Sequence, residues 1–289
     1  MKKTAGLFAV DVDGTLITDH GHITETVYSA LEKAVLHRWE VVVASGRTFY
    51  AARRIIEELP FIRYAALSNG AVIMDMRENK VLYMESIQPE DTEVVVEVIR
   101  EKGAIPALYN TNLLDQRIYY DSLEGACSFF EWYVTEDPRC VLVDDVMDYT
   151  GDVLQIGTIA EKRMIFDIRD ALDDNRLKVI VLPFENARFG GKNTDYWFLQ
   201  VVEVNVTKHK ALKSLAECLN IPPGRLVAAG DNYNDADMIR NADIGVAMGN
   251  SPEEIKKLAN VVVGSNNDSG LAEVVDEVLL SGKYFPEPD

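Results

Sequence analysis

Two carboxylates one residue apart close the first apolar run of this chain. Gly6-Leu7-Phe8-Ala9-Val10 stops abruptly at Asp11-Val12-Asp13-Gly14. An apolar run bounded by a turn signal reads as a fully buried strand of a parallel sheet. Ligands of open α/β sheets bind just beyond the carboxyl ends of such strands. Asp11 and Asp13 are therefore expected at a site, close enough to share a hard cation such as Mg²⁺. The plainer alternative is a turn whose Asp side chains hydrogen-bond the local backbone. In an extended segment, side chains at i and i+2 point the same way. That would suit one carboxylate attacking a phosphoryl group while the second acts first as acid and then as base.

Three further segments share this placement. Ser45-Gly46-Arg47 follows Glu40-Val41-Val42-Val43-Ala44, and Lys208 follows Val204-Asn205-Val206. Gly230-Asp231-Asn232-Tyr233-Asn234-Asp235 follows Leu226-Val227-Ala228-Ala229. Strand ends of a parallel sheet lie on one edge, so distant residues can converge there. Asp11, Asp13, Asp231 and Asp235 would repel one another unless a cation joined them, and Mg²⁺ prefers a few carboxylates, water and phosphate oxygens. Ser45, the Gly46 amide and Lys208 add donors and positive charge for the remaining phosphate oxygens. No Gly-rich Walker loop is present, so nucleotide binding of that kind has no support.

The DVDGT, SGR and GDNYND segments with the isolated Lys208, in this order, resemble the haloacid dehalogenase-like (HAD) phosphohydrolase superfamily, most closely its Cof-type phosphatases with a C2B cap. The motifs span few residues, but the plan they imply covers the whole chain. The resemblance implies Asp11 as nucleophile and Asp13 as general acid/base. It implies Mg²⁺ held by Asp11, the Asp13 main-chain carbonyl and Asp231, with Asp235 supporting the metal site from behind. Phosphate would be bound by Ser45, Gly46, Lys208, Asn234 and the Val12 amide. One departure is His209, where the family usually has Gly after the motif lysine.

The elements that must position these residues divide the chain in three. Up to Met84, strands (6–10, 41–44, 64–68) alternate with helices (25–37, 48–58), the pattern of βαβ units and a parallel sheet, followed by a hairpin over 71–84. From 85 to 201, Pro89 opens a helix that Gly103 ends. Strand candidates there (104–109, 116–120, 153–159, 177–183, 196–204) alternate polar and apolar residues as an antiparallel sheet does, with helices near 122–133 and 161–174. After 202 the parallel pattern returns in strands 226–230, 243–247 and 260–263 and a last helix over 269–281. The expected fold is α/β: a Rossmann-like HAD core of residues 1–84 and 202–289, interrupted by an inserted α+β cap of residues 85–201. A cleft between two such domains is the default ligand site. Loops 186–194 and 110–115 are candidates to meet a leaving group.

The chain has 289 residues, of which 47% are hydrophobic and 26% charged, ordinary for a globular protein. No apolar run is long enough to span a bilayer. Lys2 and Lys3 precede an apolar stretch that ends at Asp11 without a cleavage site, so no signal peptide is expected. Cys127, Cys140 and Cys218 are odd in number and widely spaced, which favours buried, reduced thiols over disulfides or zinc. These features together predict a cytoplasmic protein. The net charge of −18 argues against nucleic acid or an anionic membrane as partner. An anionic substrate would meet the same repulsive field, so local cations must reverse it at the site.

Taken alone, several of these residues have plainer readings. Lys208 could be a solvated residue of a first helical turn, and Lys210 and Lys213 compete for its role. Arg47 could contact substrate or form a structural ion pair, and Asn69-Gly70 is chiefly a turn signal. His20 and His22 read as solvated, while Trp132 and Trp197 read as cap core. The leading expectation is a Mg²⁺-dependent phosphomonoesterase acting on small metabolites such as sugar phosphates, through an aspartyl-phosphate, as a monomer or weak dimer. A cap closing over the ligand would exclude bulk water. Its rivals are a phosphomutase resembling the phosphomannomutases, and a non-catalytic protein that binds phosphorylated metabolites.

Overall fold

The fold was taken from a computed structural model, which describes residues 4–172, 177–186 and 191–285. Strand β1 (Gly6–Val10) leads through α1 (Glu25–Leu36) to β2 (Trp39–Ala44), then through α2 (Phe49–Glu57) to β3 (Tyr64–Leu67). Helix α1 begins where Thr24 accepts the Val27 amide, and it buries Val27, Ala30, Leu31 and Ala34, the i, i+3, i+4, i+7 stripe of an amphipathic helix. A hairpin of β4 (Val72–Asp75) and β5 (Lys80–Met84) follows.

The chain then builds a second unit from α3 (Pro89–Glu101), β6 (Ala107–Asn110), β7 (Ile118–Tyr120), α4 (Ser128–Glu136), β8 (Cys140–Leu142), β9 (Val153–Glu161), α5 (Lys162–Ala171), β10 (Leu177–Asn186) and β11 (Gly191–Glu203). Its sheet has the order β10-β11-β9-β6-β7-β8, antiparallel except for the β7–β8 pair. Leu108 and Ile156 pack with Val95, Val96, Ile165 and Ile168 of α3 and α5. Tyr109 and Ile159, on the other face, pack with Phe129, Phe130 and Val134 of α4.

The first unit resumes with α6 (Lys208–Cys218), β12 (Leu226–Gly230), α7 (Ala236–Asn241), β13 (Ile244–Ala247), α8 (Glu253–Lys256) and β14 (Val261–Val262). Helix α9 (Gly270–Glu273) ends this unit and runs into a π-helical turn, Val274–Leu279. The sheet order is β14-β13-β12-β1-β2-β3-β4-β5. Six strands from β14 to β3 are parallel, and the hairpin adds two antiparallel ones. All five residues of β1 are buried, as befits a strand covered on both faces. From β1 the chain winds first toward β3 and later, through β12, toward β14. The ends of β1 and β12 thus flank the point where strand order reverses, the usual ligand position in such sheets.

The fold agrees with the α/β plan and corrects it in detail. Contacts divide the chain into Met1–Met84 with Thr207–Asp289, and Glu85–Val206. The second crossing therefore falls after 206 and not at 202. Val202 still pairs with Lys178 in the inserted sheet, and the ladder ends at Glu203, whose carboxylate accepts the Asn205 amide at 2.6 Å and turns the chain. Lys208 accordingly follows a turn and opens a helix; it does not follow a strand of the parallel sheet. Helix α4 starts only at Ser128, because Gly125 takes φ +79° ahead of it. The strand β8 lies in the short apolar run Cys140-Val141-Leu142-Val143, which the sequence reading passed over. Cys127 and Cys140 are half-buried and Cys218 is exposed, so the thiols are free but not core residues. Residues 187–190, the middle of the expected 186–194 loop, lie outside the described residues. No helix among the described residues is long and apolar enough to cross a membrane.

Gly245 illustrates how tightly β13 is held under α7. A Cβ there would lie 1.9 Å from the Ile239 carbonyl oxygen, a backbone atom with no room to yield. Gly245→Ala is expected to cost about 1–3 kcal/mol or more, read as a lower thermal unfolding midpoint. An unchanged midpoint would show that α7 is free to shift.

Candidate active site

Asp11 stands one residue past β1, held by its amide donating to the Ala229 carbonyl at 3.0 Å. The chain does not continue extended from there. The amides of Leu16 and Ile17 return to the Val12 carbonyl at 3.0 and 3.1 Å, and Gly14 adopts φ +77°. The segment after Asp13 is therefore a turn. Asp11 is buried at 4% exposure, whereas Asp13 is exposed and Arg47 grips both its oxygens, at 2.7 and 2.6 Å. The Val12 side chain is fully buried, which anchors the turn.

Lys208 is the structural centre of the site. Its Nζ lies 2.6 Å from Asp11 Oδ1 and 2.5 Å from Asp235 Oδ1, and its side chain is fully buried. Lys210 and Lys213 are exposed, so neither competes. Thr207 caps α6 by accepting the Lys210 amide. The turn Ser68–Gly70 sets that helix start in place: Ser68, Asn69 and Gly70 all have positive φ, and a Cβ on Gly70 would lie 2.3 Å from the Thr207 carbonyl oxygen. Backbone strain of this kind persists only where surroundings enforce it. Here it gains close approach to the helix that carries Lys208.

The remaining motif residues divide their tasks. Asp235 is fully buried, and its Oδ2 accepts the amides of Asp231 and Asn232, both at 3.0 Å. Gly230 is required beside it, since a Cβ there would meet the Asp235 Cβ at 2.6 Å. With both oxygens of Asp235 engaged, it braces the Asp231 loop and orients Lys208. Ser45 is buried, and its Oγ accepts the Arg47 amide at 3.1 Å, which leaves the hydroxyl hydrogen to donate elsewhere. Gly46 lies against Asn69: a Cβ at Gly46 would meet Asn69 Oδ1 at 2.9 Å. Asn234 reaches the same Asn69 oxygen at 3.5 Å. Asn69, read from sequence chiefly as a turn residue, thus joins the second and fourth motifs. Two further residues reach Asp231: Thr15 of the DVDGT segment, given no role from sequence, whose hydroxyl lies 3.5 Å from Asp231 Oδ1, and Asn250, outside the motifs, whose amide donates to Asp231 Oδ2 at 3.3 Å. Asn250 stands just past β13, so the strand-end rule that found the other motifs also points to it.

The electrostatics leave this cluster short of positive charge. Oxygens of Asp11, Asp231 and Asp235 lie within 4.8 Å of one another; two such charges repel by roughly 3–4 kcal/mol at an effective dielectric near 20. Burial and the facing Asp235 push the Asp231 carboxyl up to about 7, with Lys208 only partly opposing them. Asp11 is likewise raised, by burial and then by Asp235, against the pull of Lys208. Burial alone would drive the proton from Lys208, but Asp11 and Asp235 outweigh it and hold the ammonium charged. One ammonium against three carboxylates is an imbalance that a hard divalent cation relieves, and all-oxygen donors suit Mg²⁺. Asp11 and Asp231 are the carboxylates left to offer oxygens, since those of Asp235 are already committed. The residues fit the ion.

The raised carboxyl of Asp231 has a defined sign for stability. Its protonated form is favoured in the fold, so its contribution is present below about pH 4 and lost as pH rises through about 7. In EDTA, Asp231→Asn is expected to melt a few degrees above the unmodified protein at pH 8, with the gap closing toward pH 4. Added Mg²⁺ is expected to stabilise the unmodified protein and leave the variant unmoved. A variant that melts lower than the unmodified protein at pH 8 would refute the strained cluster.

Comparison with known proteins assigns the family. Residues 8–275 match the family described as haloacid dehalogenase-like hydrolase. The chain is 27% identical over 278 residues to the 5-amino-6-(5-phospho-D-ribitylamino)uracil phosphatase YcsE of Bacillus subtilis (strain 168), covering 95% of this chain and 96% of that protein. It is 27% identical over 300 residues to the phosphatase YwpJ of the same organism, covering 94% and 99%. Its fold is similar to the crystal structure of a haloacid dehalogenase-like hydrolase from Bacteroides thetaiotaomicron, with TM-score 0.76, 23% identity and coverage of 96% and 100%. With the match running from β1 into the last helical turn, the chain belongs to the haloacid dehalogenase-like hydrolase family.

Proposed function

We propose that this hydrolase cleaves phosphoric monoesters of small metabolites, forming an aspartyl-phosphate on Asp11, with Mg²⁺ held by Asp11, Asp231 and the main-chain carbonyl of Asp13. The observation that carries this reading is the buried Asp11, fixed at the end of β1, with the Lys208 ammonium 2.6 Å away and Asp231 within reach of a shared cation. The relative YcsE is named for a phosphate ester of a ribityl compound, which supports a small, sugar-like phosphate as the substrate class.

In the first half-reaction Asp11 attacks phosphorus, an O–P bond forms to its carboxylate, and the ester P–O bond breaks. Asp13 gives its proton to the departing alkoxide, so an alcohol leaves. In the second, Asp13 takes a proton from water as the water oxygen bonds to phosphorus. The acyl-phosphate P–O bond breaks, freeing inorganic phosphate and restoring Asp11. Lys208, Ser45 and the Gly46 amide balance charge on the phosphoryl oxygens, and Asn234 orients them from the side that Asn69 supports. Bound Mg²⁺ would neutralise the developing phosphoryl charge and the carboxylates that hold the ion. Arg47, gripping both oxygens of Asp13, must yield that side chain for proton transfer.

The test is hydrolysis of an aryl phosphate and of a panel of sugar phosphates, followed by phosphate release. Asp11→Asn and excess EDTA are each expected to abolish turnover, and Mg²⁺ to restore it in the EDTA-treated enzyme. Full activity in either case would overturn the proposal. Asp13→Asn is expected to lower kcat by about 10²–10⁴-fold on alkyl esters and by less on an aryl phosphate, whose leaving group needs little protonation. Conversion of a hexose 1-phosphate to the 6-phosphate without released phosphate would replace hydrolysis with the mutase reading.

A further inference from the structure

We propose that Asn250 is a positioning residue for the metal centre, locking the carboxylate of Asp231 in the orientation that receives the cation. The inference rests on the reading of Asp231 as a Mg²⁺ ligand and adds a residue that none of the four motifs contains.

The side chain of Asn250 is used at both ends. Its Nδ2 donates to the Gly14 carbonyl at 2.9 Å and to Asp231 Oδ2 at 3.3 Å. Its Oδ1 accepts the Asn266 amide at 3.1 Å. One primary amide therefore ties together the turn after β1, the loop after β12 and the segment after β14, while itself standing past β13. An amide is suited to this because it offers two donors and an acceptor in one plane. Once Oδ1 is fixed by Asn266, the direction of the N–H bonds toward Asp231 is fixed as well.

The consequence falls on Asp231. Its two oxygens have separate restraints: Thr15 lies 3.5 Å from Oδ1, and Asn250 holds Oδ2. The turn at Gly14 crosses so close that a Cβ there would meet Oδ2 at 2.3 Å, so only glycine leaves the carboxylate its place on that side. Asn266 continues the wall from behind, its Nδ2 donating to the Ile17 carbonyl at 2.9 Å and to Asp19 at 3.1 Å. The Asn266 side chain hydrogen-bonds neither Asp231 nor Asp11, so it supports the same wall without holding the ligand directly. That difference separates orienting the carboxylate from merely stabilising the turn.

Mg²⁺ titrated calorimetrically into metal-free protein, with thermal unfolding of the same samples in EDTA, tests the assignment. Loss of a residue that orients a ligand typically costs 10–100-fold in metal affinity. Asn250→Ala is therefore expected to raise the Mg²⁺ dissociation constant about tenfold or more, with little loss of melting temperature because Asn250 is exposed. Asn266→Ala, its buried neighbour, is expected to lower the melting temperature and leave the dissociation constant within about twofold. Asn250→Ala that binds Mg²⁺ as the unmodified protein does would overturn the assignment and leave the proposed function standing. An unmodified protein that takes up no Mg²⁺ would overturn both.

Discussion

The site depends on a buried ammonium that cannot satisfy the carboxylates around it. Lys208 bridges Asp11 and Asp235 with no access to water, and removing one partner of such a buried pair costs roughly 3–5 kcal/mol. The pair alone would be a structural ion bridge. What makes it a site is the third carboxylate, Asp231, brought into the same small volume. The resulting deficit of positive charge makes the cluster receptive to a hard cation and, with that cation in place, to a phosphoryl group. In a chain with net charge −18, an anionic substrate would need such a local source of positive charge.

The scaffold resolves the repulsion by dividing labour among carboxylates of one chemical type. Asp235 spends both oxygens on Lys208 and on two backbone amides, so it becomes part of the frame. Asp13 is paired with Arg47. Asp11 and Asp231 keep oxygens to offer. Hydrogen-bond partners, and not residue identity, decide which carboxylates keep free oxygens and which brace the frame. The glycines serve the same end: Gly14, Gly46, Gly70 and Gly230 each stand where a Cβ would collide with a site residue or with the helix that carries one.

Much of this was legible in the sequence because burial on both faces of a parallel strand leaves an unmistakable apolar run, and the run's end marks the sheet edge. β1, β2 and β12 were found in this way, and with them Asp11, Ser45 and Asp231. The rule failed at Lys208. A valine-rich stretch before it looked like another parallel strand, yet Val201 and Val202 belong to an antiparallel ladder of the inserted unit. The lysine reaches the site from a helix start pressed against Gly70. Asn250 went unremarked because its strand, though read from the sequence, ends in a neutral amide and no charged motif.

The sequence by itself determined the fold class, the edge of the sheet at which the chemistry is assembled, and the set of residue types available there. Periodicity and strand-end placement are local properties, and they are written in contiguous residues. Tertiary structure alone decided which lysine enters the cluster, which oxygen each carboxylate has left to give, and that Asn69 and Asn250 stand among the motif residues. Those outcomes depend on the close approach of segments far apart in the chain, and on strained turns that only the packed neighbours can hold.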